Sequence, residues 1–317
     1  MAFQRVVLVL SLMLTLGVGS VLSLPVNAAG DADRSVYRVA FAQDTLSNDF
    51  RRAQVLEVQH ALAPYDDIAF VYSDAQGKTS LLIHQIRQFI YQQVDVLIVG
   101  TNDAQLVVPV IEQAHEQGIK VLILDRGVAT ERYTSFLNSD NVLIGRLGAR
   151  FIAERLNGKG QVLLMEGLQT ADVTRDRTRG FLDVIGQYPD ISVIRRTGNY
   201  LRKDALLEME KMVAEKISVD AIFSESDSML SGVRAVLARH KIDPASIISV
   251  GCDYTSEARE AILAGSQTGS VLFPLGGKAT AQAVLALKAG RTIPHHINIP
   301  ADLLVTRDNV NQVKPVF

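Results

Sequence analysis

The sequence predicts an α/β fold in which parallel strands are covered by helices on both faces, with the pattern running twice along the chain. Three observations carry this. Short apolar runs alternate with longer amphipathic stretches from about residue 35 onward. Several runs, 94–99 and 120–124 among them, are apolar almost throughout, the mark of strands buried on both sides. The alternation restarts near Asn141 with no Gly/Ser/Pro-rich linker between the halves.

In chain order, the first half reads as strand 37–42, helix 48–62, strand 68–72, helix 80–92, strand 94–99, helix 105–117 and strand 120–124. The 80–92 stretch sets Leu82, Ile86, Phe89 and Ile90 on one helical face. The second half opens with a helix over 142–156, stopped by Asn157-Gly158. Strands follow at 161–165, 191–195, 221–223 and 247–251, with helices at 174–185, 203–216, 228–240 and 256–263. A strand at 271–273, a helix over 279–287 and a strand near 297–299 complete the pattern.

The first residues stand apart. Arg5 is followed by an uncharged, apolar or small stretch over 6–24, then by Pro25-Val26-Asn27-Ala28-Ala29. A basic start, a greasy centre and a small-residue site are the order of a secretory signal, expected to span residues 1–28 with cleavage after Ala28. The alternative is a retained anchor, since about 19 apolar residues can span a bilayer. No cysteine lies near the cut, so lipid attachment to a new N-terminal cysteine is excluded, and the expected location is the periplasm.

Composition narrows function. With 32 Lys plus Arg against 34 Asp plus Glu, the net charge is −2, which lacks the basic surplus of a nucleic-acid binder. Cys252 is the one cysteine of 317 residues, so an intrachain disulfide, a redox pair and a cysteine zinc site are excluded. A phosphate-binding loop is missing: Leu272 stands where Gly277-Lys278 would need an upstream glycine, and Ala279 follows. Neither Gly-x-Gly-x-x-Gly after the first strand nor Gly-x-Ser-x-Gly occurs beyond the leader. His60, His84, His115 and His240 fall on expected helices, and His295-His296 precedes the last strand. No metal site, cofactor or catalytic residue is expected. Cys252 reads as a small buried residue.

In open parallel sheets, ligands sit at the carboxyl edge of the strands. The residues there are 48–51, 100–103, 125–126, 139–141, 169–177, 199–200, 225–227, 252–254 and Phe273. This set is rich in Asp, Asn and Arg, with a few aromatics. Carboxylates and guanidinium forks bind hydroxyls while an aromatic covers a C–H face, which suits a sugar or polyol.

Six motifs then fall in the order and spacing of one family. They are Thr45-Leu46-Ser47-Asn48-Asp49-Phe50, Leu124-Asp125-Arg126, Ser139-Asp140-Asn141-Val142, Asp176-Arg177-Thr178-Arg179-Gly180-Phe181, Ser226-Asp227-Ser228-Met229 and Val250-Gly251-Cys252-Asp253. The chain resembles the periplasmic sugar-binding proteins of the ribose and galactofuranose type that feed ABC transporters. The resemblance implies a type I periplasmic-binding fold: two Rossmann-like lobes with parallel sheets, joined by three hinge crossings near 138–140, 273–275 and 302–305, closing on ligand. The implied N-terminal lobe is 35–139 plus 275–303, and the C-terminal lobe 140–274 plus 304–317. It implies ligand contacts at Asn48, Phe50, Asp125, Arg126, Arg177, Tyr200 and Asp253. Asp227 reads equally as the cap of the helix starting at Ser228 and as a ligand contact, and Asp140-Asn141 more as a cap and hinge element than as a site.

The departures from ribose binders bear on the ligand. Arg51 replaces a second aromatic, as in galactofuranose binders; Ser226 replaces Asn, Phe273 replaces Gln and Gly100 replaces Asn. Arg51, Ser226 and Phe273 join the candidate contacts, and a larger pyranose or furanose, or a ligand with an acidic group facing Arg51, fits better than ribose. The expected function is reversible binding of a sugar or related polyol and its delivery to a membrane ABC permease, by a monomer. The alternative is a sensor that docks on a receptor kinase or chemoreceptor. An enzyme would need an acid or base in the cleft, for which Asp125 and Asp253 are candidates by position alone.

Overall fold

The structure, a computed structural model, describes residues 36–317. The expected signal segment 1–28 lies outside the described residues. The first half contains β1 (Tyr37–Gln43), α1 (Asp49–Leu62), β2 (Ile68–Asp74), α2 (Thr79–Tyr91), β3 (Val96–Gly100), α3 (Val108–Glu116), β4 (Lys120–Leu124) and β5 (Ser135–Asn138). The second contains α4 (Asn141–Arg155), β6 (Lys159–Glu166), α5 (Asp172–Ile185), β7 (Asp190–Thr197), α6 (Arg202–Ala214), β8 (Ala221–Ser224), α7 (Asp227–Arg239), β9 (Ile248–Asp253), α8 (Ser256–Ala264) and β10 (Gly269–Leu272). The last elements are α9 (Gly277–Lys288), β11 (His296–Asn298) and β12 (Leu304–Thr306).

Among the described residues the strands form two six-stranded sheets, in the orders β11-β5-β4-β3-β1-β2 and β12-β10-β9-β8-β6-β7. The first is parallel throughout. The second departs from the expected all-parallel sheet at one edge, where β12 runs antiparallel to β10. The chain passes between the sheets three times, after β5, after β10 and after β11. Residues 299–303 make the third passage, overlapping the expected 302–305, and Leu304 pairs in the second sheet.

Both faces of each sheet are filled, which explains the uninterrupted apolar runs. In β1 and β3, Ala40, Ala42, Leu97 and Val99 face α2 and α3, while Val39, Phe41, Val96 and Ile98 face α1 and α9. In the second sheet, Val162 and Leu164 meet α4 and α5, while Leu163 and Met165 meet α6 and α7. Each such Val, Leu, Ile, Phe or Met side chain contributes about 1.5–3 kcal/mol by leaving water. Helices α4 and α5 touch backbone to backbone: a Cβ on Gly145 would lie 2.0 Å from the Arg177 carbonyl, and one on Gly180 2.0 Å from that of Val142. This close packing sets the position of Arg177.

Two strands and one helix start departed from expectation. β5 and β12 span four and three residues, too few for a readable period. Helix α3 begins at Val108 instead of residue 105, because Pro109 fixes the first turn while Asp103 Oδ1 takes the amides of Gln105 and Leu106 in a preceding turn.

Candidate functional site

The carboxyl ends of the two sheets face one cleft with an open volume of about 340 Å³. All ten candidates, Asn48, Phe50, Arg51, Asp125, Arg126, Arg177, Tyr200, Ser226, Asp253 and Phe273, line it. Val173 and Ser228 line it too. Ser228 lay outside the strand-end set because it is reached only by the first turn of α7. Gly100 does not line the cleft. Its missing Cβ makes room for Gln43, whose Oε1 would otherwise sit 2.2 Å from that atom.

Local geometry aims these side chains. Asn48 caps α1 by accepting from the Arg51 amide at 2.9 Å, which turns Phe50 and Arg51 inward. Its amide nitrogen donates across the cleft to the Tyr200 carbonyl at 2.7 Å, so both polar ends of Asn48 are engaged within the protein. Asp125 and Tyr200, which follow β4 and β7, and Asp253, the last residue of β9, have φ of 69°, 60° and 101°. Non-glycine residues adopt such angles at a cost, and the surrounding packing holds them there. Ser226 caps α7 through the Met229 amide at 3.2 Å. Asp227 is neither cap nor cleft residue: it accepts from Ser270, Gln267 and the Thr255 amide. Asp140 caps α4, and Asn141 accepts from Arg177 Nε at 2.8 Å, which orients that guanidinium.

The charges of the first-lobe wall are paired. Arg51 Nη2 meets Asp125 Oδ2 at 2.7 Å, and Arg126 Nη1 meets Asp44 Oδ2 at 2.9 Å, all four residues being buried. Arg51 also donates to Gln54 at 3.2 Å. Asp125 thus neutralises Arg51 within the protein. Burial, and then Arg51 nearby, pull the Arg126 guanidinium below its ordinary value. Two atoms of this wall are buried without a hydrogen-bond partner, Asp125 Oδ1 and Arg126 Nε.

Across the cleft, Arg177 donates to Asn141 and, at 2.5 Å, to the Glu225 carbonyl, and it forms no ion pair among the described residues. Its guanidinium lies 4.5 Å from the centre of the Phe273 ring and 5.9 Å from that of Tyr200. Phe273 in turn lies 5.4 Å from Phe50, which Phe317 backs at 6.0 Å. Asp253 is buried and its carboxyl is pushed well up by burial, with Arg177 opposing. Cys252 behind it is fully buried, and burial pushes its thiol up.

Further contacts join the lobes at the rim. Gly127 N donates to Asp172 Oδ2 at 2.8 Å, Thr170 to the Asn102 carbonyl at 2.9 Å and Ser228 to Asp49 at 3.2 Å. Among the described residues there is no group of three or more His, Cys, Asp or Glu arranged to hold a metal ion. No helix among them is long and apolar enough to cross a membrane.

Two α/β lobes linked by three chain passages, with polar and aromatic side chains at the facing strand ends, define a two-lobed binding protein of type I periplasmic fold. Residues 39–292 match the family described as periplasmic binding protein domain, and the chain belongs to it. It is 27% identical over 253 residues to the ribose import binding protein of Haemophilus influenzae, covering 79% of this chain and 83% of that one. It is 25% identical over 284 residues to the galactofuranose-binding protein of Escherichia coli, covering 86% and 89%. A solved fructose-binding periplasmic domain of a hybrid two-component system shares the fold with a TM-score of 0.81 at 24% identity, covering 87% of this chain and 92% of its own.

Proposed function

We propose that this protein binds one small, neutral, hydroxylated ligand, a sugar or related polyol, reversibly in the cleft and delivers it to an ABC permease. The observation that carries this is the pair of unpartnered buried atoms, Asp125 Oδ1 and Arg126 Nε, in a wall whose other charges are paired. A lone buried acceptor and a lone buried donor each cost about 1–3 kcal/mol, and hydroxyl groups, which both donate and accept, satisfy both. Phe50, Phe273 and Tyr200 cover the C–H faces of such a ligand. Arg177 and Asp253 bond it from the second lobe, and Asn48, Arg51 and Ser226 shape the mouth. The pairing of Arg51 favours a neutral ligand over a sugar acid. Similarity to the ribose import binding protein supports the transporter reading over the sensor reading.

In this reading residues 1–28 are removed on export and the mature chain works as a periplasmic monomer without chemistry on its ligand. The moving bodies are 35–139 plus 275–303 and 140–274 plus 304–317, hinging at the three passages. A thermal-shift panel of D-ribose, D-galactose, D-fructose, xylitol, myo-inositol and D-glucuronate tests the reading. A bound ligand raises the melting temperature by mass action, and neutral members are expected to do so while glucuronate does not. Turnover of any sugar, or a response to glucuronate alone, defeats it.

A further inference from the structure

Glu225 follows β8 and is fully buried, yet it does not line the cleft. Its Oε2 accepts from the Gly167 amide at 2.8 Å and from the Tyr200 hydroxyl at 3.2 Å. The Tyr200 hydroxyl accepts from Thr174 at 2.9 Å, so its own proton goes to Glu225. The other oxygen, Oε1, lies 2.9 Å from Thr178 Oγ1, and that same hydroxyl lies 2.8 Å from Glu166 Oε1. A threonine hydroxyl carries one proton and can serve only one of two carboxylates. Both oxygens of Glu166 take donors from Arg195, at 2.6 and 3.1 Å, which fixes Glu166 as the anion. Thr178 therefore donates to Glu166, and Glu225 Oε1 supplies the hydrogen to Thr178.

We infer that Glu225 is a positioning residue of the cleft: as a neutral acid it heads the chain Glu225–Thr178–Glu166–Arg195, and its second oxygen holds the Tyr200 hydroxyl so that the ring keeps its place against Arg126 and Arg177. Tyr200 depends on that hold. Its backbone is in the left-handed region, and its ring lies directly on Gly167, where a Cβ would be 2.0 Å from the ring. Losing the Glu225 proton sets a second buried anion against Glu166 across one hydroxyl and breaks the proton order of the chain.

The groups facing Glu225 are Glu166 from β6, Arg177 from α5, Arg195 from β7, Tyr200 from the following loop and Cys252 from β9. Asp227, two residues on, turns away to Ser270 and Gln267. Burial pushes the Glu225 carboxyl up to about 7, with the Gly167 amide and Arg177 pulling it back and Glu166 adding to the rise. Ionised, Glu225 holds the Tyr200 hydroxyl more tightly through Oε2 while Glu166 repels Oε1, so across neutral pH the carboxylate shifts and carries the ring with it.

The consequence for ligand rests on the sugar-binding reading; the positioning itself is tested without ligand. In protein labelled with carbon-13 at glutamate Cδ and tyrosine Cζ, one glutamate resonance is expected to titrate near pH 7. The tyrosine resonance missing from Tyr200→Phe moves with it. Glu225→Gln, which keeps a donor toward Thr178 and an acceptor toward Tyr200, removes the glutamate titration and leaves the Tyr200 resonance constant. A wild type in which every glutamate titrates in the ordinary carboxylate range, or a Tyr200 resonance that titrates alike in Glu225→Gln, overturns the inference. With the panel sugar that gives the largest melting shift, wild type is expected to bind about tenfold more weakly at about pH 8.5 than at about pH 6, and Glu225→Gln to lose most of that difference, the remainder belonging to Asp253 and Asp227. If no panel sugar binds, the sugar-binding reading fails while the resonances still decide the role of Glu225.

Discussion

The two walls of the cleft carry charge in opposite ways. On the first-lobe side, Arg51 and Arg126 each meet a carboxylate within 3 Å, so the wall is ionised and internally balanced. On the second-lobe side, Arg177 leans on aromatic rings, main-chain oxygen and an amide, Asp253 is buried with its carboxyl pushed up, and behind this wall, outside the cleft lining, Glu225 and Asp227 are buried with theirs pushed up too. The first wall is vulnerable to losing one member of a pair. The second tolerates loss of its arginine better and responds to protons.

The sharpest way to break this comparison is Asp125→Ala. It removes a hydroxyl acceptor and leaves Arg51 as an uncompensated buried cation, a loss of about 3–5 kcal/mol in folding stability. Affinity for the panel sugar falls by more than about tenfold. Denaturant unfolding and calorimetric titration measure the two losses. A variant as stable as wild type means that the Arg51–Asp125 pair is not part of the wall's structure.

Next comes pH, which acts on the second wall. Glu225 and Asp227 are raised to about 7 and about 6 by burial, so the folded state holds protons that the unfolded chain releases near the ordinary carboxylate value. Their stabilising contribution is complete in acid, below the unfolded value, and is lost as pH rises through about 6 to 7. For Glu225 alone the linkage amounts to about 3 kcal/mol. Glu225→Gln mimics the neutral acid, so it should match wild type near pH 5 and exceed it by about that amount near pH 8.5. Urea unfolding at the two pH values reads the difference, and equal curves at both would remove the proton-responsive character assigned to the second wall.

How much of this was legible beforehand follows from the same contrast. Strands of a parallel sheet end on one side, so reading the residue after each apolar run gathered Asp125, Tyr200, Asp253 and the other candidates onto one cleft. Pairing is a different matter. Arg126 and Asp44 are 82 positions apart, and nothing local says which arginine meets which carboxylate. The neutral state of Glu225 depends on β6, α5 and the loop after β7 closing over it, which no single segment encodes. Ser226 lines the cleft and also caps α7, because both uses require the same short hydroxyl at the same strand end.

A milder test is Arg177→Ala. No carboxylate is left unpaired by it, so the stability loss should be well below that of Asp125→Ala, while binding weakens by more than about tenfold, on the order of 1.4 kcal/mol for a charged hydrogen bond. If Arg177→Ala destabilises the fold as much as Asp125→Ala, the walls do not differ in the way described.

The smallest expected effect probes the rim that brings the walls together. Asp172 stands at the start of α5, and its carboxylate reaches across to the Gly127 amide, beside Asp125 and Arg126, without lining the cleft. Asp172→Ala removes one hydrogen bond that exists only when the lobes meet, so it lowers the closed form relative to the open one without touching ligand. One such bond is worth about 0.5–1.5 kcal/mol, which places the affinity loss at about threefold. Because the bond forms on closure, the loss should fall on dissociation, with the association rate unchanged. Burial raises the Asp172 carboxyl, and Gly127 needs it ionised only as an acceptor, so Asp172→Asn should retain most of the affinity. Stopped-flow measurement with the panel sugar separates the two rates. A slower association with unchanged dissociation would place Asp172 on the path of entry instead of in the closed rim.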